Sequence, residues 1–307
     1  MKFLTPIVGI IALLLVAASP VPILTIQAGA NGNGGIISGD GKTVLYSVVN
    51  RIRKVDVASG TEQALPPPPG ICDSSPVTID SISPDGKKLL ITCYGGTGYW
   101  PSDIFIMNGG GSDAKKLTPE SAVVGPGWKK YHYDTAQFSP DGTKISLRRW
   151  CADECNDETF TVMVMNSDGS NLHRVAAGAP MGWDASGKGF YVNDEGNYSL
   201  PVGSVSYYDL AAKTDKPFKA DGVEGERVLG MIGNGFAVDK EVGWVTLYPI
   251  VDSKVIGGGT LPIPTKLEQQ SKWRDLARIS SDKSGSILLL QYGDDEEPQV
   301  LQVIKVK

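Results

Sequence analysis

The sequence predicts an all-β chain folded as a six-bladed β-propeller of four-stranded antiparallel blades. Two observations carry that expectation. A turn of the Ser-Pro-Asp-Gly type recurs at roughly the spacing of a propeller blade. A short apolar segment near the N-terminus is placed to complete the last blade, which otherwise lacks a strand. The composition agrees: 37 glycines and 20 prolines in 307 residues suit a turn-rich β protein.

In chain order, the first element is a targeting segment. Met1-Lys2 is a short basic start, residues 3–18 are an apolar run, and Val16-Ala17-Ala18 offers small residues for cleavage. Residues 1–18 therefore read as a signal peptide, and residues 23–307 as one propeller domain. The apolar stretch continues to Ile26, and 24 residues are long enough to span a bilayer, so an uncleaved membrane anchor is the competing reading. Residues 23–28 (Ile-Leu-Thr-Ile-Gln-Ala) offer a reason for the extra length. They can serve as the outer strand of blade six, which removes an exposed sheet edge.

The repeat units follow. Ser38-Gly39-Asp40-Gly41, Ser83-Pro84-Asp85-Gly86 and Ser139-Pro140-Asp141-Gly142 each precede a β-rich run. Asp184-Ala185-Ser186-Gly187, Gly233-Asn234-Gly235 and Ser284-Gly285 precede three more. The glycines 41, 86, 142, 187, 235 and 285 lie 45, 56, 45, 48 and 50 residues apart. Proline presets φ, aspartate caps the turn and glycine accepts positive φ. A second feature recurs downstream: residues 52–57, 103–108, 161–166 and 205–209 read as third strands, each followed by a tight turn and a fourth strand. The last unit has strands near 275–280, 287–292 and 300–306.

The Ser-Pro-Asp-Gly turn, the strand after it and Val164-Met165-Asn166-Ser167-Asp168-Gly169-Ser170-Asn171 together resemble the TolB-like (PD40/WD40-like) propeller repeat. The resemblance runs over roughly residues 34 to 307 as a pattern. It implies a fold rather than an activity, since related propellers include periplasmic interaction modules, gating domains of prolyl-oligopeptidase-like peptidases and some lyases.

Strand order places the short turns on one face of the ring. The long links, 65–75, 94–102, 120–134, 149–158, 193–203 and 293–298, fall on the other, where binding is expected. The four cysteines, Cys72, Cys93, Cys151 and Cys155, allow three pairings and suit an oxidising compartment. Cys72 precedes the first strand of blade two and Cys93 ends the second, so antiparallel neighbours bring them together. Cys72–Cys93 is expected, with Cys151–Cys155 in one loop; a bridge from Cys93 to the blade-three loop is the alternative. Asn197-Tyr198-Ser199 is a glycosylation sequon.

On the long-link side, Trp128, Lys129, Tyr131, His132, Tyr133 and Asp134 concentrate aromatic, cationic and acidic groups, with Tyr99, Trp100 and Arg149 nearby. They read as a rim for a protein, peptide or glycan, or as rings packed between blades. His132 and Asp134 could form an acid–base pair if they converge on the channel. Asp80, Asp134 and Asp275 fall in or near innermost strands, where they could hold calcium or salt-bridge neighbours. No other cofactor is expected.

Several classes find no support. A net charge of −5 without a Lys/Arg block argues against nucleic acid. No Gly-x-Ser-x-Gly elbow occurs, and no peptidase domain is expected after the propeller. Two histidines, His132 and His173, are too few for a histidine-rich metal centre such as propeller-type pectate lyases use. The expectation is a secreted or cell-envelope monomer that binds a ligand through the long-link face without catalysis. The alternative is a hydrolase or lyase at the channel mouth.

Overall fold

The turns form as their composition requires. In blade two the Ser83 hydroxyl donates to Asp85 Oδ1 at 2.7 Å and accepts the Lys88 N–H at 2.8 Å, while Asp85 Oδ1 accepts the Lys87 N–H at 3.1 Å. Ser38 with Asp40 and Ser139 with Asp141 repeat this pattern. Gly41, Gly86, Gly142, Gly187 and Gly285 take φ of 70–72°, which a Cβ would oppose. In blade five the positive φ falls on Gly233, at 55°, and Gly235 begins the next strand. That corrects the sequence expectation that Gly235 closes this turn.

The computed structural model describes residues 20–29, 32–48, 50–66, 72, 76–94, 102–119, 123–124, 128–129, 131–151, 160–193, 205–217, 227–239, 244–251, 254–255, 259–269, 272–293 and 299–306. β1 (Leu24–Gly29) comes first. Blade one is β2 (Gly32–Ile37), β3 (Thr43–Val48), β4 (Arg51–Asp56) and β5 (Glu62–Leu65). Blade two is β6 (Val77–Ile82), β7 (Lys88–Tyr94), β8 (Ser102–Asn108) and β9 (Lys115–Lys116). A two-stranded ribbon, β10 (Val123–Val124) with β11 (Trp128–Lys129), precedes blade three. That blade is β12 (Tyr131–Phe138), β13 (Lys144–Cys151), β14 (Phe160–Asn166) and β15 (His173–Ala177). Blade four is β16 (Ala179–Trp183), β17 (Gly189–Asn193), β18 (Val205–Asp209) and β19 (Thr214–Pro217).

Blade five is β20 (Arg227–Met231), β21 (Gly235–Asp239) and β22 (Trp244–Val251), with β23 (Lys254–Val255) and β24 (Gly259–Pro264) both pairing β22. Blade six adds β25 (Lys266–Gln269) to β26 (Lys272–Ser281), β27 (Ile287–Tyr292) and β28 (Gln299–Lys305). All pairings are antiparallel. β1 completes blade six on β28, with Leu24 opposite Val303 and Ile26 opposite Leu301. The innermost strands meet in the order β2, β6, β12, β16, β20, β26, and β26 meets β2 again, which closes the ring.

Both faces of each blade are covered, so the second strands read as near-continuous apolar runs rather than clean alternation. Leu89, Leu90 and Ile91 are all buried. Six apolar clusters each combine two neighbouring blades and fill the six seams. The seam between blades six and one contains Ile26 and Ala28 of β1 beside Val44, Tyr46, Leu289 and Leu301. The Cys72–Cys93 disulfide is present and staples the entry of blade two to the end of β7. Cys151 is also disulfide-bonded; Cys155 lies outside the described residues. Among the described residues, no helix is long and apolar enough to cross a membrane.

Candidate functional site

Every innermost strand is interrupted by a β-bulge. The pairing register shifts between Gly32 and Gly35, Ile79 and Ser81, Asp134 and Gln137, Pro180 and Gly182, Val228 and Gly230, and Leu276 and Arg278. A bulge adds a residue, bends the strand and re-aims side chains. In blade two the extra residue is Asp80. In blade three the bulge places Thr135 in the left-handed region, at φ 56°. In blade five it includes Gly230, where an added Cβ would sit 2.2 Å from the Ile279 carbonyl oxygen. Only glycine lets the inner strands of blades five and six approach this closely.

The bulges of blades two to six line a cavity of about 320 Å³ in the central channel. Its polar lining is Thr78, Asp80, Tyr94, Thr135, Gln137, Arg227 and Arg278. Its apolar lining comes from Ile79, Met181, Val228, Leu229 and Met231. Five blades contribute, so the site exists only once the ring is assembled.

Asp80 opens onto the cavity, yet protein surrounds it on the remaining sides. Its carboxylate accepts a hydrogen bond from Thr92 Oγ1 at 2.5 Å. Loss of solvent drives its pKa up to about 7, and the neighbouring Asp134 charge adds to the rise. The Thr92 hydrogen bond, the Arg278 charge and the Ala136 N–H oppose it without prevailing. Tyr94 is pushed well above its ordinary value, first by burial and then by the charges of Asp80 and Asp134.

Asp134 is held by Arg148 in a two-point pair, Nε to Oδ1 at 2.7 Å and Nη2 to Oδ2 at 2.6 Å. This is the neighbour salt bridge that the sequence left open as one reading of the aspartates. Arg227 donates to Asp239 at 3.0 Å and to the Leu276 carbonyl at 2.8 Å. Arg278 is exposed to the cavity and makes no hydrogen bond or ion pair among the described residues.

The remaining sequence-derived residues are distributed as follows. His132 is fully buried and stacks on Trp150, ring centroids 4.1 Å apart. It shares a strand face with Asp134, but neither residue lines the cavity. Tyr133 is buried in the seam with blade two. Tyr131 is half-buried under the Arg149 guanidinium, 4.6 Å from the ring centroid. Trp128 and Lys129 form β11; their side chains, that of Asp275, and Tyr99, Trp100 and Asn197 lie outside the described residues. Among the described residues no group of three metal-ligating side chains converges. Sequence reasoning missed Tyr94, Gln137, Arg227 and Arg278. One faint signal was available: Ser81 and Gln137 each stand two residues before a turn serine, polar positions within an inner strand.

No family model and no curated protein sequence matches the chain. Solved structures do. A TolB-type protein from Agrobacterium tumefaciens aligns at 14% identity and a TM-score of 0.55, over 91% of each chain. TolB from Acinetobacter baumannii aligns at 13% and 0.52, over 91% of this chain and 64% of its own. Oligogalacturonate lyase from Vibrio parahaemolyticus aligns at 12% and 0.54, over 91% of this chain and 78% of its own. At these identities the likeness concerns the fold, which is that of a TolB-like six-bladed propeller.

Proposed function

We propose that this propeller is a secreted or cell-envelope binding module, and that it takes a protein, peptide or glycan ligand at the channel, entered from the long-link face. The carrying observation is the cavity, in which apolar walls and a few placed polar groups come together, the composition ligand sites favour. The fold likeness to TolB is compatible with such a role. Cleavage after residue 18 would leave β1 in the mature chain. The disulfides support an oxidising compartment.

A peptide and glycan array tests this reading, followed by titration of any hit. Arg227→Ala should weaken that hit at least tenfold, while Lys87→Ala, on the short-turn face, should leave it unchanged. Equal affinity in wild type and Arg227→Ala would refute it. Asp80 favours a second reading, a hydrolase or lyase. A carboxyl that titrates near neutrality is suited to proton transfer, and it replaces His132 as the group to test. On that reading Asp80→Asn abolishes turnover of a ligand that it still binds.

A further inference from the structure

The cavity's charges do not balance in a fixed way. Arg227 in its lining is held by Asp239, and Asp134, beside the lining, is neutralised by Arg148. That leaves Arg278 and Asp80 as the two groups in the cavity lining whose charges remain open. With Asp80 ionised the cavity is near neutral. With Asp80 protonated it holds one uncompensated cation beside Ile79, Val228, Leu229, Met181 and Met231. A single anionic group attached to an apolar one meets both features.

We propose that the channel cavity binds a carboxylate carried on an apolar group, as at a peptide C-terminus ending in an apolar residue. Arg278 pairs the carboxylate, and protonated Asp80 donates a hydrogen bond to it. This rests on the reading of the channel as the binding site and names the chemistry recognised there. The groups facing Asp80 are Thr78 on its own strand, Thr92 and Tyr94 from β7, Asp134 from β12 and Arg278 from β26. Arg227 from β20 lines the same cavity. Ionised Asp80 competes with the ligand for Arg278 and repels it, so binding should tighten as pH falls through neutrality. Burial of Asp80 puts this change near 7.

N-acetyl-leucine is the probe and its amide the neutral control, each titrated calorimetrically into the full protein. Its α-carboxyl, with a pKa of about 3.3–3.7, stays ionised at both about pH 5.5 and about pH 8.5. Wild type should bind N-acetyl-leucine about tenfold or more tightly at the lower pH, because apparent affinity scales with the fraction of competent, protonated protein. Asp80→Asn should bind it at both pH values with the wild type's low-pH affinity. Arg278→Gln, altered at an exposed side chain, should lose the binding. Glucuronate offers a carboxylate without the apolar group and should bind more weakly. The inference is overturned if the amide or glucuronate binds as well as N-acetyl-leucine. It is also overturned if wild type and Asp80→Asn share one pH dependence, or if no probe binds. None of these results touches the array comparison of Arg227→Ala with wild type, on which the broader reading stands or falls.

Discussion

At the scale of the residue, the repeat is a hydrogen-bond pattern rather than a string of letters. In blades one to three a serine opens the turn and an aspartate follows two residues later. In blades four and six the order is exchanged: Asp184 accepts from Ser186 at 2.9 Å, and Asp282 accepts from Ser284 at 2.7 Å. In blade six the opening aspartate also accepts the Ile287 N–H, the strand donor that the serine takes elsewhere, whereas in blade four Asp184 accepts the Lys188 N–H one residue earlier. Ser139→Asp and Asp141→Ser alone should each cost about 1 kcal/mol, the usual worth of such a hydrogen bond. The double variant should recover most of it in denaturant unfolding. An additive loss would show that the two orders are not equivalent.

Asp80 supplies a second residue-scale expectation. Its pKa is about 7 in the folded protein against an ordinary 3.8, so the native state binds the extra proton between those values. Stability from the neutral carboxyl is present near pH 4 and is lost as pH rises through 7. Asp80→Asn should therefore raise Tm at pH 8 and leave it nearly unchanged near pH 4. An equal gain at both would place the carboxyl in ordinary solvent. The Ser-Pro-Asp-Gly turns were legible in the sequence because their bonds span five residues. The position of Asp80 on an inner strand was legible too. Its surroundings were not, since they come from Asp134 and Arg278, brought near only by ring closure.

At the scale of the element, the inner strands are stitched by polar groups that no local pattern displays. The Phe138 N–H donates to Ser81 Oγ at 3.3 Å, the Trp183 indole to the Gln137 carbonyl at 3.2 Å, and the Gly35 N–H to Gln291 Oε1 at 3.3 Å. Each bond joins one blade to the next. The six bulges belong to the same level. A bulge is a property of cross-strand register, so residues 79–81 or 228–230 could not reveal theirs. The closing strand was legible, because residues 23–28 form a short apolar run ahead of the first repeat unit and the last unit displays three strands. Ile26→Pro should remove a ladder donor and strain the pairing with Leu301. Its expected effects are a lower Tm and an exposed β28 edge that self-associates in light scattering. An unchanged Tm and a strict monomer would contradict the role of β1 as the closing strand.

At the scale of the whole molecule, the two faces differ in what they can do. The short-turn face is built from repeated, self-satisfied turns. The channel gathers one or more residues from each of five blades into a site that no single blade contains. The aromatic segment at 128–133 drew attention in the sequence because its composition is unusual. Its described members, Tyr131, His132 and Tyr133, spend that aromatic surface on Arg149, Trp150 and the seam with blade two. Local composition could not separate those roles from ligand contact, because burial depends on the neighbouring blade.

The most direct measurement of the central claim is the affinity of Met181→Trp for an array hit of the wild-type protein. Met181 lies at the bulge of β16 and lines the cavity, so a larger ring there fills the space a ligand would take. The account expects binding to fall at least tenfold while the far-ultraviolet spectrum and Tm stay close to wild type. Undiminished binding by this folded variant would contradict it and place the ligand elsewhere on the ring.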